Sequence, residues 1–303
     1  MRFVAIIGAG ELGASIARTL ATHGRVAEVR LIDNEWDVAA GKALDIQQAA
    51  PIESSPTRVT ASSDLMAAVG AAAVLVADRV SGGPANTRTP ADGFALRQAS
   101  ETASYEYSGD QGLALIRRLA EVDHQAVIVC AGCWQHPLLT QGLNELSLSR
   151  TRFFGSAPEA VVSALRAIFA LEADVSPSVV ALTVLGRVPD RLVVPWSDAT
   201  IAGRPATRVL GAAQLARIER RAAAMPAPGP FTLAAAAARV ADLIVSGSRK
   251  VVCCSVGLDG EFGLQRAVSA VPAVIGPEGI ARLIAPSLDV REQVLLENVL
   301  ASH

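Results

Sequence analysis

The sequence predicts an α/β fold in which a doubly wound parallel sheet is followed by a region of α+β structure. Short runs of β-branched residues alternate with helical patterns in the first half of the chain. This alternation is typical of a parallel sheet that helices cover on both faces. The second half lacks such alternation, and a chain of 303 residues is long enough for two domains. We predict a first domain at 1–141 and a second at 142–303.

The elements of the first half follow from apolar periodicity and from breaks at glycine and proline. Pro51 is expected to end the helix that begins near residue 39, because proline removes a backbone donor and clashes with the preceding turn. The segment 78–112 is rich in loop residues and is typical of a binding loop, a lid or a disordered insert. The predicted strands are 2–7, 28–32, 59–60, 73–77 and 126–130, and the predicted helices are 12–23, 39–50, 64–69 and 113–122.

The second half is divided by the same signals. The proline-rich segment 226–230 interrupts the chain before an alanine-rich helix with a charged edge. The predicted helices are 158–173, 211–224, 232–246 and one from about 288, and the predicted strands are 179–185, 191–195, 250–256 and 271–275, with a glycine-rich hairpin region at 257–263.

Glycine spacing between the first strand and the first helix carries the strongest functional signal. Gly8 permits a tight turn, Gly10 lets the backbone approach a phosphate, and Gly13 lets the helix pack closely on the strand. Glu11 and Leu12 lie between these glycines, at the helix N-terminus that faces the phosphates. The spacing therefore predicts the dinucleotide-binding domain of a Rossmann fold.

Asp33 ends the second strand, twenty residues after Gly13. A carboxylate at this position accepts hydrogen bonds from the adenosine ribose and repels a 2′-phosphate. We therefore predict that the cofactor is NAD and not NADP. The structural alternative is a Rossmann domain that holds no cofactor and keeps its glycines only for packing.

Composition argues against several classes of protein. The net charge is −2 and the basic residues are scattered, so we expect no nucleic-acid or membrane partner. No apolar run has the length and purity of a membrane span, and the apolar start at 3–7 is too short for a signal peptide. The cysteines at 130, 133, 253 and 254 are expected to be reduced, which predicts a cytoplasmic protein.

Segments along nearly the whole chain match the motifs of one family. They are Gly8–Gly13, Leu31–Asp33, Gly41–Asp45 with Ala50–Pro51, Leu185–Gly186, Trp196–Ser197, Ile201–Gly203, Val271–Gly276 and Gly279–Ile280. On these segments the sequence resembles the lactate/malate dehydrogenase family, and the Gly41–Asp45 segment is similar to its malate dehydrogenase-like branch.

The resemblance implies hydride transfer between NAD and a 2-hydroxy acid, in a homodimer or homotetramer. Its expected ligands are a dinucleotide and a small carboxylate. It also implies three catalytic side chains in the second domain. A histidine is the general acid/base, an aspartate orients it, and an arginine binds the substrate carboxylate as a bidentate fork.

Small apolar residues stand at all three of those positions. Val188 lies two residues after Gly186, where the histidine is expected. Counted from Arg152, Val161 replaces the aspartate and Ala164 replaces the arginine. The histidines are 23, 124, 136 and 303, so the second domain has none except the last residue. Since valine cannot transfer a proton, the resemblance implies that no inherited catalytic residue is intact.

Two other groups of residues are candidates for chemistry. The loop after residue 77 is longer than the family pattern, and Arg88 in it is a candidate substrate-binding remnant or an ordinary solvated arginine. Cys130, Cys133 and His136 have the spacing of metal ligands or of a redox pair. A buried strand end followed by a turn explains the same three residues, and we predict no metal site.

The sequence therefore predicts an NAD(H)-binding relative of malate/lactate dehydrogenase without ordinary dehydrogenase activity. Such a protein would sense NAD(H) or act as a partner subunit. Two alternatives stay open: a divergent NAD-dependent oxidoreductase that acts on another hydroxy or oxo substrate, and a scaffold that binds no cofactor.

Overall fold

The computed structural model describes residues 2–77, 107, 109–189 and 191–301. Its strands are β1 Phe3–Ile7, β2 Glu28–Ile32, β3 Arg58–Ser62, β4 Ala73–Val76, β5 Ile128–Cys130, β6 Phe153–Gly155, β7 Val180–Ala181, β8 Leu185–Arg187, β9 Arg191–Val193, β10 Thr200–Ile201, β11 Arg204–Pro205, β12 Lys250–Asp259, β13 Gln265–Gly276 and β14 Gly279–Leu283. Its helices are α1 Glu11–His23, α2 Trp36–Glu53, α3 Gly109–Val122, α4 His136–Glu145, α5 Ala157–Ala173, α6 Ala206–Val209, α7 Ala212–Ala223, α8 Pro230–Ser246 and α9 Val290–Ala301. Short 3-10 helices lie at Leu65–Ala68, Pro177–Val179 and Glu261–Gly263.

One mixed sheet connects the two halves of the chain. Its strand order is β3-β2-β1-β4-β5-β6-β12-β13-β8-β9, with β14 paired to β13. The strands from β3 to β6 are parallel and have the 3-2-1-4-5-6 order of a Rossmann fold. The sheet becomes antiparallel where Gly155 pairs with Ser255. Strands β7, β10 and β11 form a separate antiparallel sheet. The predicted fold class is confirmed.

Burial of the parallel strands explains their β-branched composition. All five residues of β1 are buried. Helix α1 places Ile16 and Leu20 against this core, where neither side chain has any exposed surface. The helix ends at Gly24, whose φ of +62° lies in the left-handed region that glycine adopts without strain.

Helix α8, in the second half of the chain, packs against α1. At this contact, His23 Nδ1 lies 2.7 Å from Asp242 Oδ2. Asp242 is buried, and Arg25 Nη1 is 3.6 Å from the same oxygen. The predicted alanine-rich helix is therefore a packing element, with Ala236, Ala237 and others of its small residues in the core.

Among the differences between the predicted elements and the structure, two concern α2 and the strand predicted at 179–185. Helix α2 continues through Pro51 to Glu53 and ends at Ser54, which has a φ of +55°. A proline this close to the helix end disturbs only one hydrogen bond and one carbonyl in the preceding turn. The predicted strand 179–185 is divided into β7 and β8, because β7 pairs with β10 whereas β8 pairs with β9 and β13.

The predicted boundary between residues 141 and 142 falls inside α4, and the sheet continues from β6 into β12. The division into 1–141 and 142–303 stays a prediction. Among the described residues, no helix combines the length and the apolar character that crossing a membrane requires.

Candidate functional site

The turn between β1 and α1 has the backbone geometry that its glycines allow. Gly8 has a φ of +92°, and its N–H donates to the carbonyl of Ile32 at 2.8 Å. This bond ties the turn to the end of β2. Gly10 directly precedes α1, while Leu12 and Gly13 are buried on the side of the helix that faces the core. The absence of a side chain at residue 13 fits this close packing.

Two backbone donors at the start of α1 are left open. Neither the Gly10 N–H nor the Glu11 N–H has a hydrogen-bond partner within the described part of the chain. Such donors, together with the positive end of the helix dipole, bind anions at helix N-termini. The Glu11 side chain is exposed beside them. The turn can therefore hold a pyrophosphate through its backbone.

Asp33 lies beside this turn and is 1% exposed. Its Oδ2 accepts a hydrogen bond from the Ala9 N–H at 2.8 Å, and its Oδ1 accepts one from the Glu35 N–H at 3.1 Å. The carboxylate is thereby held at the carboxyl end of β2, next to the open donors of α1. Open N–H donors and a carboxylate are the groups that a pyrophosphate and an adenosine ribose require, so the chemistry of the residues present suits a dinucleotide.

Lys42 contacts the same turn and was not predicted as a site residue. Its Nζ donates to the carbonyls of Ala9 and Gly10, the latter at 3.1 Å. In the sequence it stood out only as part of the Gly41–Asp45 motif. The contact was not foreseeable from spacing, because α2 has to fold back over the turn to bring the ammonium to these carbonyls.

The positions expected to carry the catalytic histidine and aspartate are in the core. Val161 in α5 has no exposed surface and Val188 is 4% exposed. Both belong to the large apolar cluster that runs through the described residues of both halves. Ala164, at the position expected for the substrate-binding arginine, is half-buried. These three side chains can neither transfer a proton nor bind a carboxylate.

The β8–β9 hairpin fixes Val188 in place. Gly186 has a φ of +93°, and its N–H donates to Ser269 Oγ at 3.0 Å. Gly186 also pairs with Leu192 across the hairpin and with Ala270 on β13. Valine therefore follows the paired segment Leu185–Arg187, at the position where the family resemblance implies a histidine.

The histidines of the described residues lie elsewhere. His23 is at the end of α1 beside Asp242, and His124 is exposed in the turn before β5. His136 begins α4, with its Nε2 3.0 Å from the Val268 carbonyl oxygen. None of them is on the β8–β9 hairpin. His303 and Arg88 lie outside the described residues.

Cys130, Cys133 and His136 are not brought together as a set of ligands in the part of the chain that the structure describes. Cys130 is buried in one apolar cluster and Cys133 in another. Over the residues that the structure describes, no group of three or more His, Cys, Asp or Glu side chains is placed to hold a metal ion. None of the four cysteines, all of which lie among the described residues, is part of a disulfide. The reading of this segment as a strand end and a turn accounts for its residues.

Glu159 is a buried carboxylate that the sequence did not single out. Its Oε2 accepts a hydrogen bond from the Cys253 N–H at 3.0 Å. Its Oε1 lies 3.3 Å from Arg239 Nε and 3.8 Å from Arg166 Nη1. Desolvation raises the pKa of the Glu159 carboxyl, against the opposing effects of the Cys253 bond and the two guanidinium groups. Arg166 is therefore within ion-pair distance of a carboxylate of the protein itself.

We expect Glu159→Gln to change how stability depends on pH. Because the pKa of Glu159 is raised in the folded protein, the contribution of this residue is fully present below its ordinary value of 4.5 and is lost as pH rises through the raised value. The stability advantage of wild type over the variant should therefore shrink between pH 4 and pH 8, as measured by urea unfolding. Glu121→Gln, on the exposed side of α3, controls for the loss of a charge. An advantage that grows with pH would contradict the expectation.

Comparisons with known proteins cover almost the whole chain. Malate dehydrogenase from Cytophaga hutchinsonii is 29% identical over 97% of this chain and 93% of its own length. Malate dehydrogenase from Sulfurimonas denitrificans is 27% identical over 97% of this chain and 91% of its own length.

Solved structures with this fold include both malate and lactate dehydrogenases. Malate dehydrogenase from Aeropyrum pernix superposes with a TM-score of 0.83 at 20% identity, over 99% of this chain and 95% of the other. Lactate dehydrogenase from Cryptosporidium parvum, complexed with lactic acid and nicotinamide adenine dinucleotide, gives 0.82 at 21% identity over the same shares. At these identities the likeness establishes the fold.

Two family models match the two halves of the chain. The NAD binding domain of lactate/malate dehydrogenase matches residues 3–90. The alpha/beta C-terminal domain of lactate/malate dehydrogenase matches residues 150–302. The open donors of α1 and the carboxylate of Asp33 suit the NAD that the first model describes. The chain therefore belongs to the lactate/malate dehydrogenase family, with NAD as its cofactor.

Proposed function

We propose that this chain is an NAD(H)-binding member of its family that lacks ordinary 2-hydroxy acid dehydrogenase activity. The observation that carries the proposal is the burial of Val161 and Val188 in one apolar cluster. When bound, NAD would supply a hydride acceptor. A proton must also leave or join the substrate oxygen as the hydride moves, and no titratable side chain stands at either position.

Binding of the substrate is weakened by the same replacements. The Ala164 side chain has no group that can bind a substrate carboxylate, and the nearby Arg166 forms an ion pair with Glu159. An aspartate kept alone at the position of Val161 would be a buried charge without its partner, at a cost of several kcal/mol. Loss of the histidine therefore favours apolar replacement of the aspartate.

A divergent oxidoreductase is the competing function, with its acid/base drawn from the Cys133–His136 region or from the segment 78–112. Cys133 is buried in the core, and His136 Nε2 lies against a backbone carbonyl. These contacts do not favour a proton donor there. The segment that holds Arg88 lies outside the described residues, so the experiment below decides between the two functions.

NADH binding without turnover is the expected result. Titration with NADH, followed through Trp36 and Trp134 fluorescence, should saturate below millimolar concentration. Enzymes commonly turn over on the order of 10 times per second, and loss of a general acid/base costs about a hundred- to ten-thousand-fold. Oxaloacetate, pyruvate and other 2-oxo acids should therefore be reduced at no more than about 0.1 per second.

The malate dehydrogenase of Cytophaga hutchinsonii, assayed in parallel, is the positive control. Turnover of any 2-oxo acid by this chain near 10 per second, the common enzyme rate, would contradict the proposal and favour the divergent oxidoreductase. Failure to bind NADH at millimolar concentration would favour the scaffold without cofactor.

The proposal includes a cytoplasmic location and assembly as a homodimer or homotetramer. Four cysteines without a disulfide among the described residues support a reducing compartment. Leu44 and Ile52, which are 58% and 88% exposed on α2, are apolar side chains that such an assembly would cover.

A further inference from the structure

The turn that binds the dinucleotide is held from two sides. On one side, the Asp33 carboxylate accepts the Ala9 N–H at 2.8 Å. On the other, Lys42 Nζ donates to the Ala9 carbonyl and, at 3.1 Å, to the Gly10 carbonyl. The Gly10 carbonyl also accepts the first helical hydrogen bond, from the Ala14 N–H at 3.2 Å. Lys42 thus fixes the orientation of two consecutive peptide groups at the point where α1 begins.

The two open donors belong to those same peptide groups. In a trans peptide the C=O and the N–H point in opposite directions. The peptide that presents the Ala9 carbonyl to Lys42 therefore directs the Gly10 N–H away from the lysine. The peptide that presents the Gly10 carbonyl directs the Glu11 N–H away in the same manner. Neither N–H has a partner within the described residues.

We propose that Lys42 is a positioning residue for the pyrophosphate of the dinucleotide, acting through the Gly10 and Glu11 N–H groups. Its ammonium fixes the direction of these donors and polarises their peptide groups, which strengthens their hydrogen bonds to an anion. The proposal rests on the proposed NAD(H) binding and assigns part of that affinity to one side chain.

Local charge and side-chain geometry agree with this role. Glu11 places an exposed carboxylate beside the open donors, where it repels a pyrophosphate. The ammonium of Lys42 offsets that repulsion. A lysine also suits two adjacent carbonyls, because its three donors radiate from a single atom whereas those of arginine lie in a plane. The chain otherwise uses arginine almost throughout: of its 27 basic residues, only Lys42 and Lys250 are lysine.

The first experiment compares ligands with and without phosphates. Calorimetric titrations of ADP-ribose, NADH and adenosine are made with wild type, Lys42→Met and the control Lys250→Met, whose site is exposed at the start of β12. Lys42→Met should lose about tenfold or more in affinity for ADP-ribose and NADH, as expected for hydrogen bonds to a charged group. Its affinity for adenosine should change less than about twofold, and the control should match wild type.

Equal losses for adenosine and ADP-ribose would overturn the proposal, because a merely structural lysine weakens the whole site. Unchanged ADP-ribose affinity in Lys42→Met would overturn it as well, while leaving NAD(H) binding intact. If the wild-type protein bound neither ADP-ribose nor NADH, the proposed function would be refuted. The positioning role of Lys42 would be refuted with it.

A second measurement uses wild type alone and does not depend on the variant folding. Acetylation by a soluble active ester, read by peptide mass spectrometry, reports both lysines in one sample. Coupling between two bound groups is reciprocal, so a ligand that Lys42 stabilises must in turn stabilise the Lys42 contacts. ADP-ribose should slow acetylation of Lys42 and leave Lys250 unchanged, and adenosine should slow neither. Equal rates at Lys42 with and without ADP-ribose would overturn the proposal.

Discussion

Val161→Asp is expected to destabilise the protein by about 3–5 kcal/mol, although it restores the residue type that the family resemblance implies at this position. Val161 has no exposed surface and lies in the apolar cluster that also contains Val188. A carboxylate there has no histidine to pair with and cannot keep its hydration. Urea unfolding at pH 8 measures the loss.

The pH dependence of this variant follows from the same burial. Burial without a partner raises the pKa of a carboxyl, so the folded variant holds its proton more tightly than the unfolded chain. The destabilisation should therefore be smaller at pH 5 than at pH 8. Val161→Thr, of similar shape and uncharged, should lose less stability and show no such pH dependence. A Val161→Asp variant within about 1 kcal/mol of wild type at pH 8 would mean that this position is not in a dry core.

Gly186→Ala is expected to cost more than about 4 kcal/mol or to prevent folding. Gly186 has a φ of +93°, which side chains of L-residues rarely adopt. A Cβ added there would lie 2.4 Å from the Arg191 carbonyl oxygen, which is backbone and cannot rotate away. Relief of the clash requires opening the β8–β9 hairpin that places Val188. Urea unfolding, or the soluble yield where the variant does not fold, measures the effect.

Gly203→Ala is the matched control for that variant. Gly203 has a φ of +76°, and no heavy atom lies within 4 Å of the position its Cβ would take. Only backbone strain of about 1–2 kcal/mol is then expected. Similar losses in the two variants would show that the carbonyl contact at Gly186 adds nothing.

The first βαβ unit was predictable because its signals are local. The glycine spacing, the β-branched strands and the final Asp33 each act within a few residues, and β1, α1 and β2 begin and end within one residue of the predicted positions. The extent of α2 was not predictable in this way. Pro51 is a strong local signal for a helix end, but it lies in the last turn, where the packing of α2 against the sheet compensates for one lost hydrogen bond.

The spacing of residues along the chain did not decide the role of the Cys130–His136 segment. Thiols and an imidazole three residues apart are compatible with a metal site, a redox pair or a strand end followed by a turn. The structure separates Cys130 and Cys133 into different apolar clusters. Which face of the sheet each side chain meets depends on where the strand ends, and β5 ends at Cys130.

Residue type and local spacing were enough to predict the dinucleotide turn and to identify which residues stand where the family resemblance implies catalytic side chains. Tertiary structure decided what surrounds those residues. It placed Val161 and Val188 in one buried apolar cluster, brought Lys42 to carbonyls 32 and 33 residues away, and paired Glu159 with a backbone donor 94 residues away. Such contacts depend on how helices and sheet pack against each other, and packing is a property of the whole chain that no local pattern encodes.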